Sequence, residues 1–459
     1  MGGTAVKKIQ QFWKFGRPEF NTQWFDTNAV GQLIVKEGNY QYNIFDLVKK
    51  YGSPLEIVFP HILEQKVENL FDAFHEAMRR YGYRGRFYYH YPMKVNQNKE
   101  FIIPLLSEGA NLEVTSYNEL WLLKKLWGQN HFNARIRVLC NGPKIPKYLD
   151  LIVELRNMGV AIIPIVDDIG ELEYLRRFRG DIGVRVNLGV KVHSHWDKKF
   201  DQFGTTPEEI LKVGRIKNLK ILHYHLGSQI EHGDDLVRAA KKLMEFYLKL
   251  RQLNPTLDTL DLGGGFAVPY TKIKSYSVQG IAQRIVKTVG AMAKKAEVHP
   301  PHLIVEWGRY AAAPAQISIF KIIHEKPVGN GSKKCWYVID GSFMNDLLDT
   351  WAIHQKWHVV PVNNMNARKL MPVWLTGSSC DVDDKYTASG TYIRLPRLED
   401  LEEGESQYIA IFDSGAYQDA LASHHCLLSS PAKIIAQDGD ITIARRRETP
   451  EEIGKLFGW

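Results

Sequence analysis

From Leu63 onward the chain alternates between two hydrophobic rhythms. Leu63, Val67, Leu70, Phe71, Phe74 and Met78 recur at three- and four-residue steps, the spacing that gathers one apolar stripe on a helix. The dense β-prone run FYYHYPMKV then begins at Phe87. The same alternation continues through LEVT at Leu112, IRVLC at Ile136, AIIPIV at Ala161, IGVRVNL at Ile182, LKILHYHLG at Leu219, TLDLGGG at Thr259 and HLIVEWGR at His302. These eight runs, with helical segments between them, predict an α/β fold built on a (β/α)8 TIM-like barrel.

From about Ile317 the texture becomes β-rich, in CWYVIDGS, MPVWLTG, YIAIFDSG and IIAQDGDITIARRR. The last carries a hairpin signal at Asp438-Gly439, where both turn positions must adopt positive φ. A second, all-β domain of Greek-key or β-sandwich type is expected there. The opening WFDTNAVGQLIVKEG reads as strand, turn, strand. Residues 1–60 are therefore expected to contribute to the β domain, 61–316 to form the barrel, and 317–459 to complete the β domain.

Bulk properties narrow the class. A chain of 459 residues exceeds what one core normally supports, and 44% hydrophobic with 24% charged residues is an ordinary globular balance. The formal charge of +8 raises nucleic acid as a partner, but the basic residues fall in short runs such as Lys198-Lys199, Lys333-Lys334 and Arg445-Arg446-Arg447. That is a solvated surface rather than a binding stripe, so no nucleic-acid partner is expected. The four cysteines stand far apart without a C-x-x-C pair, which points to reduced thiols in the cytoplasm and to no metal site. The N-terminus lacks a signal-peptide core, and no apolar run approaches the ~20 residues of a membrane span.

Barrel enzymes assemble their chemistry at the C-terminal ends of the strands. Here those ends carry Lys94, Glu113, Asn141, Asp167, Arg185, His225, Gly263 to Gly265, Glu306 and Arg309. Taken singly, each has a plainer explanation: an exposed lysine, a core histidine, a glycine turn. Their joint occurrence at successive strand ends does not. A desolvated lysine can form an imine with a carbonyl, glycines after a strand let backbone N–H groups approach a phosphate, and an arginine beside them adds charge. A carboxylate facing a pyridine nitrogen would keep it protonated and the ring electron-poor. Pyridoxal phosphate needs these parts.

The ordered series YPMKVNQN, CNGPK, HYHLGSQ, DLGGG, EWGR, CDVDD and GAYQD resembles the fold-type III pyridoxal-phosphate decarboxylases, which act on ornithine, diaminopimelate or arginine. WFDTNAVGQLIVK and DLLDTWAIHQKWHVVPV are similar to the biosynthetic arginine decarboxylase branch. The resemblance implies that Lys94 carries the cofactor and His225 stacks on its ring. Ser228, Gly263, Gly264, Gly265, Gly308, Arg309 and Tyr417 would hold the phosphate, and Glu306 would pair with the pyridinium nitrogen. It further implies that Cys380 is the proton donor, that Asp381 and Asp383 receive the substrate's distal cation, and that the Cys-Asp motif serves a neighbouring subunit in a homodimer with shared sites. Arginine would yield agmatine and carbon dioxide, feeding polyamine (spermidine) synthesis; the family also admits a Mg2+ ion.

Three residues depart from the pattern: Gln202 replaces the lysine of Lys-Phe-Gly, Trp307 the proline or serine after the glutamate, and Val382 the serine of Cys-Asp-Ser-Asp. All three are expected near the substrate pocket. Only HEKPVGNGSKK separates Ile323 from Cys335, where the branch carries a helical insertion, and the chain stops at Trp459, without the branch's C-terminal extension. Two other readings stay open: a decarboxylase for ornithine, lysine or diaminopimelate, and a non-catalytic binding protein of the same fold. Retention of Lys94 and Cys380 argues against the second.

Overall fold

Phe25–Thr27 (β1), Leu33–Glu37 (β2) and Tyr40–Asn43 (β3) pair as an antiparallel sheet in the computed structural model, as the strand-turn-strand pattern predicts. The β1–β2 turn is closed by Asn28, whose side-chain oxygen accepts from the Val30 and Gln32 amides. The structure describes residues 9, 11–128, 136–192, 201–329, 334–367, 369–386 and 390–459, so Lys198-Lys199 and Lys333 lie outside the described residues. The chain divides into two units, one of Met1–Leu63, Pro269–Ile273 and Ala312–Trp459, the other of Glu64–Val268 and Lys274–Ala311.

Leu55–Val58 (β4) leads into the helix Pro60–Arg80, which buries Leu63, Val67, Leu70 and Phe74 on the predicted stripe. Then come the eight barrel strands: Phe87–Pro92 (β5), Asn111–Val114 (β6), Arg137–Cys140 (β7), Ala161–Val166 (β8), Ile182–Arg185 (β9), Leu219–His223 (β10), Thr259–Asp261 (β11) and His302–Val305 (β12). They pair in parallel and close on themselves, β12 against β5, so the predicted barrel is present. Leu139, Ile163, Ile165, Ile221 and Ile304 fill its interior, with Tyr88 packed against them. At ~1.5–3 kcal/mol per buried aliphatic side chain, this layer is a large share of what holds the closed sheet.

The pleat carries the argument from core to site. Side chains two residues apart share a face of a strand, so the positions after Leu139, Ile221 and Ile304 on that face are Asn141, His223 and Glu306. A polar layer therefore sits on the aliphatic one at the strands' C-terminal ends.

The remaining strands are Gln316–Pro327 (β13), Cys335–Ile339 (β14), Val359–Pro361 (β15), Leu370–Thr376 (β16), Ile393–Pro396 (β17), Tyr408–Ile411 (β18), Ala432–Gln437 (β19) and Asp440–Arg445 (β20). They order as β17-β16-β14-β13-β4-β19-β20, with β18 pairing both β13 and β15. Most pairs are antiparallel, but β14–β16 and β4–β19 are parallel. Asp438 and Gly439 take φ of +53° and +83° between β19 and β20, as that hairpin signal requires. β13 and β14 pair directly, Pro327 facing Cys335. Among the described residues no helix is long and apolar enough to cross a membrane.

Candidate active site

Lys94 sits in the short turn Met93–Val95 that ends β5. Its Nζ lies 3.5 Å from Glu113 Oε2; the lysine side chain is 37% exposed while Glu113 is fully buried. Asn141, just past β7, donates to Glu113 Oε1 at 2.8 Å and reaches Glu306 Oε1 at 3.5 Å. Burial pushes the Glu113 carboxyl up to about 7; Lys94 opposes the shift and Glu306 adds to it. A second lysine near the strand ends, Lys144, has a wholly buried ammonium group: its Nζ donates to the carbonyls of Gly142 and Ile165 and lies 3.5 Å from Glu171. Of the two, Lys94 is the one a small molecule can reach.

Beneath this pair, ligand atoms of His223, Asp261 and Glu306 lie within 4.8 Å of one another, all buried. His223 Nε2 is 3.6 Å from Glu306 Oε2. Burial opposes charge on every member, and the neighbours decide which keeps it. Asp261 is raised well above the usual range by burial and then by Glu306, so it is protonated. For Glu306 the attraction of His223, Lys94 and His225 outweighs burial and holds the carboxyl well below its usual value. His223 is itself lowered by burial; Glu306 favours its proton, but Arg185 and Lys94 repel it. Glu306 and His223 thus favour charge on each other, and the carboxylate has the further support of Lys94 and His225, whereas Arg185 and Lys94 oppose charge on the imidazole. Glu306 Oε2 has no hydrogen-bond partner among the described residues.

On the other side of this cluster the backbone comes unusually close. Gly263 has φ +62°, and a Cβ there would stand 2.7 Å from the Tyr224 carbonyl oxygen; at Gly264 it would stand 2.9 Å from His225 Nε2. Only glycine lets this turn run under the His225 ring. Beyond β12, Gly308 packs on the Lys94 turn, where a Cβ would meet Val95 Cγ2 at 2.6 Å. The buried Arg309 donates from Nε to Ser228 Oγ at 3.3 Å. Asp167 and Arg185 pair at 3.5 Å, and the guanidinium stacks 4.5 Å from the Phe203 ring.

A family model for the pyridoxal-binding domain of pyridoxal-dependent decarboxylases matches residues 64–313. The chain belongs to this family. Pyridoxal phosphate is accordingly the cofactor of this decarboxylase, and the residues present suit it: a buried carboxylate whose Oε2 accepts no hydrogen bond among the described residues and could take a ring N–H, a side-chain-free turn for a phosphate, and a buried arginine beside it. The decarboxylase is similar to the biosynthetic arginine decarboxylase of Prochlorococcus marinus (strain MIT 9313), at 23% identity over 91% of this chain and 84% of that protein. In structure it is similar to the biosynthetic arginine decarboxylase of Campylobacter jejuni, with a TM-score of 0.80 and 22% identity over 92% of this chain and 86% of the other. It is similar as well to the diaminopimelate decarboxylase of M. jannaschii in complex with L-lysine, with a TM-score of 0.79 and 22% identity over 95% and 97%. The fold is common to both kinds of enzyme.

The structure brings Lys94, His225, Ser228, Gly263, Gly264, Gly265, Glu306, Gly308 and Arg309 into the barrel unit. Cys380, Asp381, Asp383 and Tyr417 belong to the other unit. There, Cys380 Sγ lies 3.7 Å from Cys426 Sγ, and this hydrogen bond raises the Cys380 thiol's pKa, keeping it protonated. Asp381 Oδ2 is 3.4 Å from His425 Nε2, and Asp383 donates its amide to Asp381 Oδ1. Tyr417 has a left-handed backbone, φ +70°, a conformation that side chains other than glycine enter only under strain. Two residues on, Asp419 is fixed in a buried ionic cluster with Lys433 and Arg445, both of which also reach Glu56.

Of the three departures, Trp307 is not a pocket residue. It is fully buried, packing against Phe74 and Phe266 at ring-centroid distances of 5.7 and 4.6 Å. Glu306 points into the barrel, so its neighbour points out into the layer beneath the helices. Val382 is 80% exposed. Sequence reasoning overlooked His223 and Asp261. The signal was there: His223 and His225 stand two apart, and Asp261 directly precedes the glycine run.

Proposed function

We propose that this enzyme decarboxylates L-arginine to agmatine and carbon dioxide, with Lys94 carrying the cofactor and Cys380 delivering the proton. Bound pyridoxal phosphate supplies an electron sink conjugated to the substrate's α-carbon. The buried Glu306 carboxylate carries this reading: it would accept the N–H of the ring nitrogen and so keep it protonated, and burial makes that charge contact stronger than it would be at the surface. Arg309, Ser228, Gly308 and the Gly263–Gly265 amides, with Tyr417 on this reading, would hold the phosphate, and His225 would lie against the ring. Glu113 offsets the Lys94 charge across 3.5 Å. When carbon dioxide leaves, the Cys380 thiol places a proton on the α-carbon. The reaction feeds polyamine synthesis in the cytoplasm.

Arginine is favoured because two carboxylates, Asp381 and Asp383, share one loop. A guanidinium offers a flat fork of donors that suits paired acidic groups, whereas an ammonium is satisfied by one. A charge-assisted contact of this kind contributes roughly 1.5–3 kcal/mol, so Asp383→Asn is expected to lower kcat/KM for arginine about 10- to 150-fold, with the cofactor's absorbance unchanged. The assay is product formation on arginine, ornithine, lysine and diaminopimelate. An unchanged arginine rate in the variant, or a wild-type preference for another substrate, rejects arginine and leaves the decarboxylase reading standing.

The enzyme acts as a homodimer whose Cys380 loop completes the partner's site. Lys94→Ala and Cys380→Ala should each be nearly inactive, and mixing them under conditions of subunit exchange should restore activity, up to about one site in four when exchange is random. Mixtures that demonstrably exchange yet stay inactive would mean that each site is built within one chain.

A further inference from the structure

Cys380 and Cys426 are 46 positions apart in sequence, yet their sulfurs meet at 3.7 Å, and both residues are exposed. One further contact ties the two loops, and a second anchors the Cys426 loop from elsewhere in the chain. Asp381 Oδ2 and His425 Nε2 are 3.4 Å apart, and Asn345 Nδ2 donates to the His425 carbonyl at 2.9 Å. Cys426 and Leu427 both hold left-handed backbones, φ +57° and +54°, so the loop is bent against its own preference where it presents the thiol. The other two cysteines, Cys140 and Cys335, are buried.

We propose that Cys380 and Cys426 are a reversible disulfide site, at which a peroxide-class oxidant joins the two sulfurs and takes the Cys380 thiol out of the reaction. This rests on the reading of Cys380 as the proton donor. Bringing sulfurs from 3.7 Å to a bond of about 2.05 Å is within the reach of side-chain rotation. The electrons balance: one sulfur attacks hydrogen peroxide and becomes a sulfenic acid with release of water, and the second sulfur displaces the hydroxyl as a second water. Two thiols lose two protons and two electrons, and the peroxide is reduced to two waters. A dithiol reverses the change by exchange. Cys426 thereby serves as the resolving thiol, which stops the proton donor from being oxidised further to forms that no thiol can reduce.

The experiment treats the reduced holoenzyme with stoichiometric hydrogen peroxide, alkylates the remaining thiols and reads mass, thiol count and activity together. The four cysteines should fall to two free thiols, with a loss of about 2 Da before alkylation and a linked peptide pair containing Cys380 and Cys426. Activity should fall about tenfold or more in step and return with dithiothreitol. Cys426→Ser should keep its basal activity, form no such link and, under excess peroxide that drives the lone Cys380 past the sulfenic acid, fail to recover with dithiothreitol where wild type recovers. Retention of all four thiols, a link between other cysteines, or a Cys380–Cys426 link at full activity overturns the proposal. Cys380→Ala separates the causes: full activity in that variant removes the proton-donor reading, whereas an inactive variant beside an unlinked oxidised wild type removes the switch alone.

Discussion

Lys94→Ala is expected to lose turnover by about 10³-fold or more and to purify without the covalently held cofactor's visible absorbance, as when any covalent catalyst is removed. The two lysines near the strand ends differ in ways that make this sharp. Lys144 spends its ammonium on two backbone carbonyls and Glu171 and has no exposed surface, so it has neither a free lone pair nor access. Lys94 faces the barrel mouth with Glu113 3.5 Å away. Burial pushes the Glu113 carboxyl up to about 7, so its contact with Lys94 is not a permanent ion pair. Borohydride treatment of the wild-type holoenzyme followed by peptide mapping should place the pyridoxyl label on Lys94. A label on Lys144 or any other lysine would reject the assignment.

The barrel was legible because its strands are buried on both faces. FYYHYPMKV, AIIPIV and HLIVEWGR have almost no polar interruption, and helical stripes such as Leu63 to Met78 separate them, so order and count follow from local pattern alone. The site residues at strand ends were legible for a related reason, since polar groups that close an apolar run stand out against it. What stayed hidden depends on contacts distant in sequence. Glu56, Asp419, Lys433 and Arg445 form one buried cluster, and nothing local marks a glutamate on β4 as the partner of residues some 360 to 390 positions later. The two parallel pairs in the β domain are hidden in the same way, because register between distant strands leaves no periodic trace. Trp307 shows the converse error: adjacency to Glu306 suggested a pocket residue, and the pleat turned it to the opposite face.

Glu306→Gln separates function from packing more cleanly than any other substitution in the barrel. The isostere keeps the Asn141 contact and the shape of the polar layer while removing the one charge that the surrounding groups sustain. On the proposed assignment the ring nitrogen would then face a neutral amide in a buried site. Breaking a buried charge pair from one side costs about 3–5 kcal/mol, so kcat should fall about 150- to 5,000-fold. The phosphate side, built on Arg309, Ser228 and the glycine turn, is untouched, so the protein should still purify with cofactor bound. Stability should move little, because two effects oppose each other. The attraction of His223, Lys94 and His225 favours the ionised Glu306 in the folded protein and is lost, while the repulsion that adds to burial in raising Asp261 and Glu113 is relieved. A residue kept only for packing would instead show Tm lost and kcat per folded molecule preserved. A kcat within about threefold of wild type would reject the pairing of Glu306 with the cofactor's nitrogen, whatever the melting temperature does.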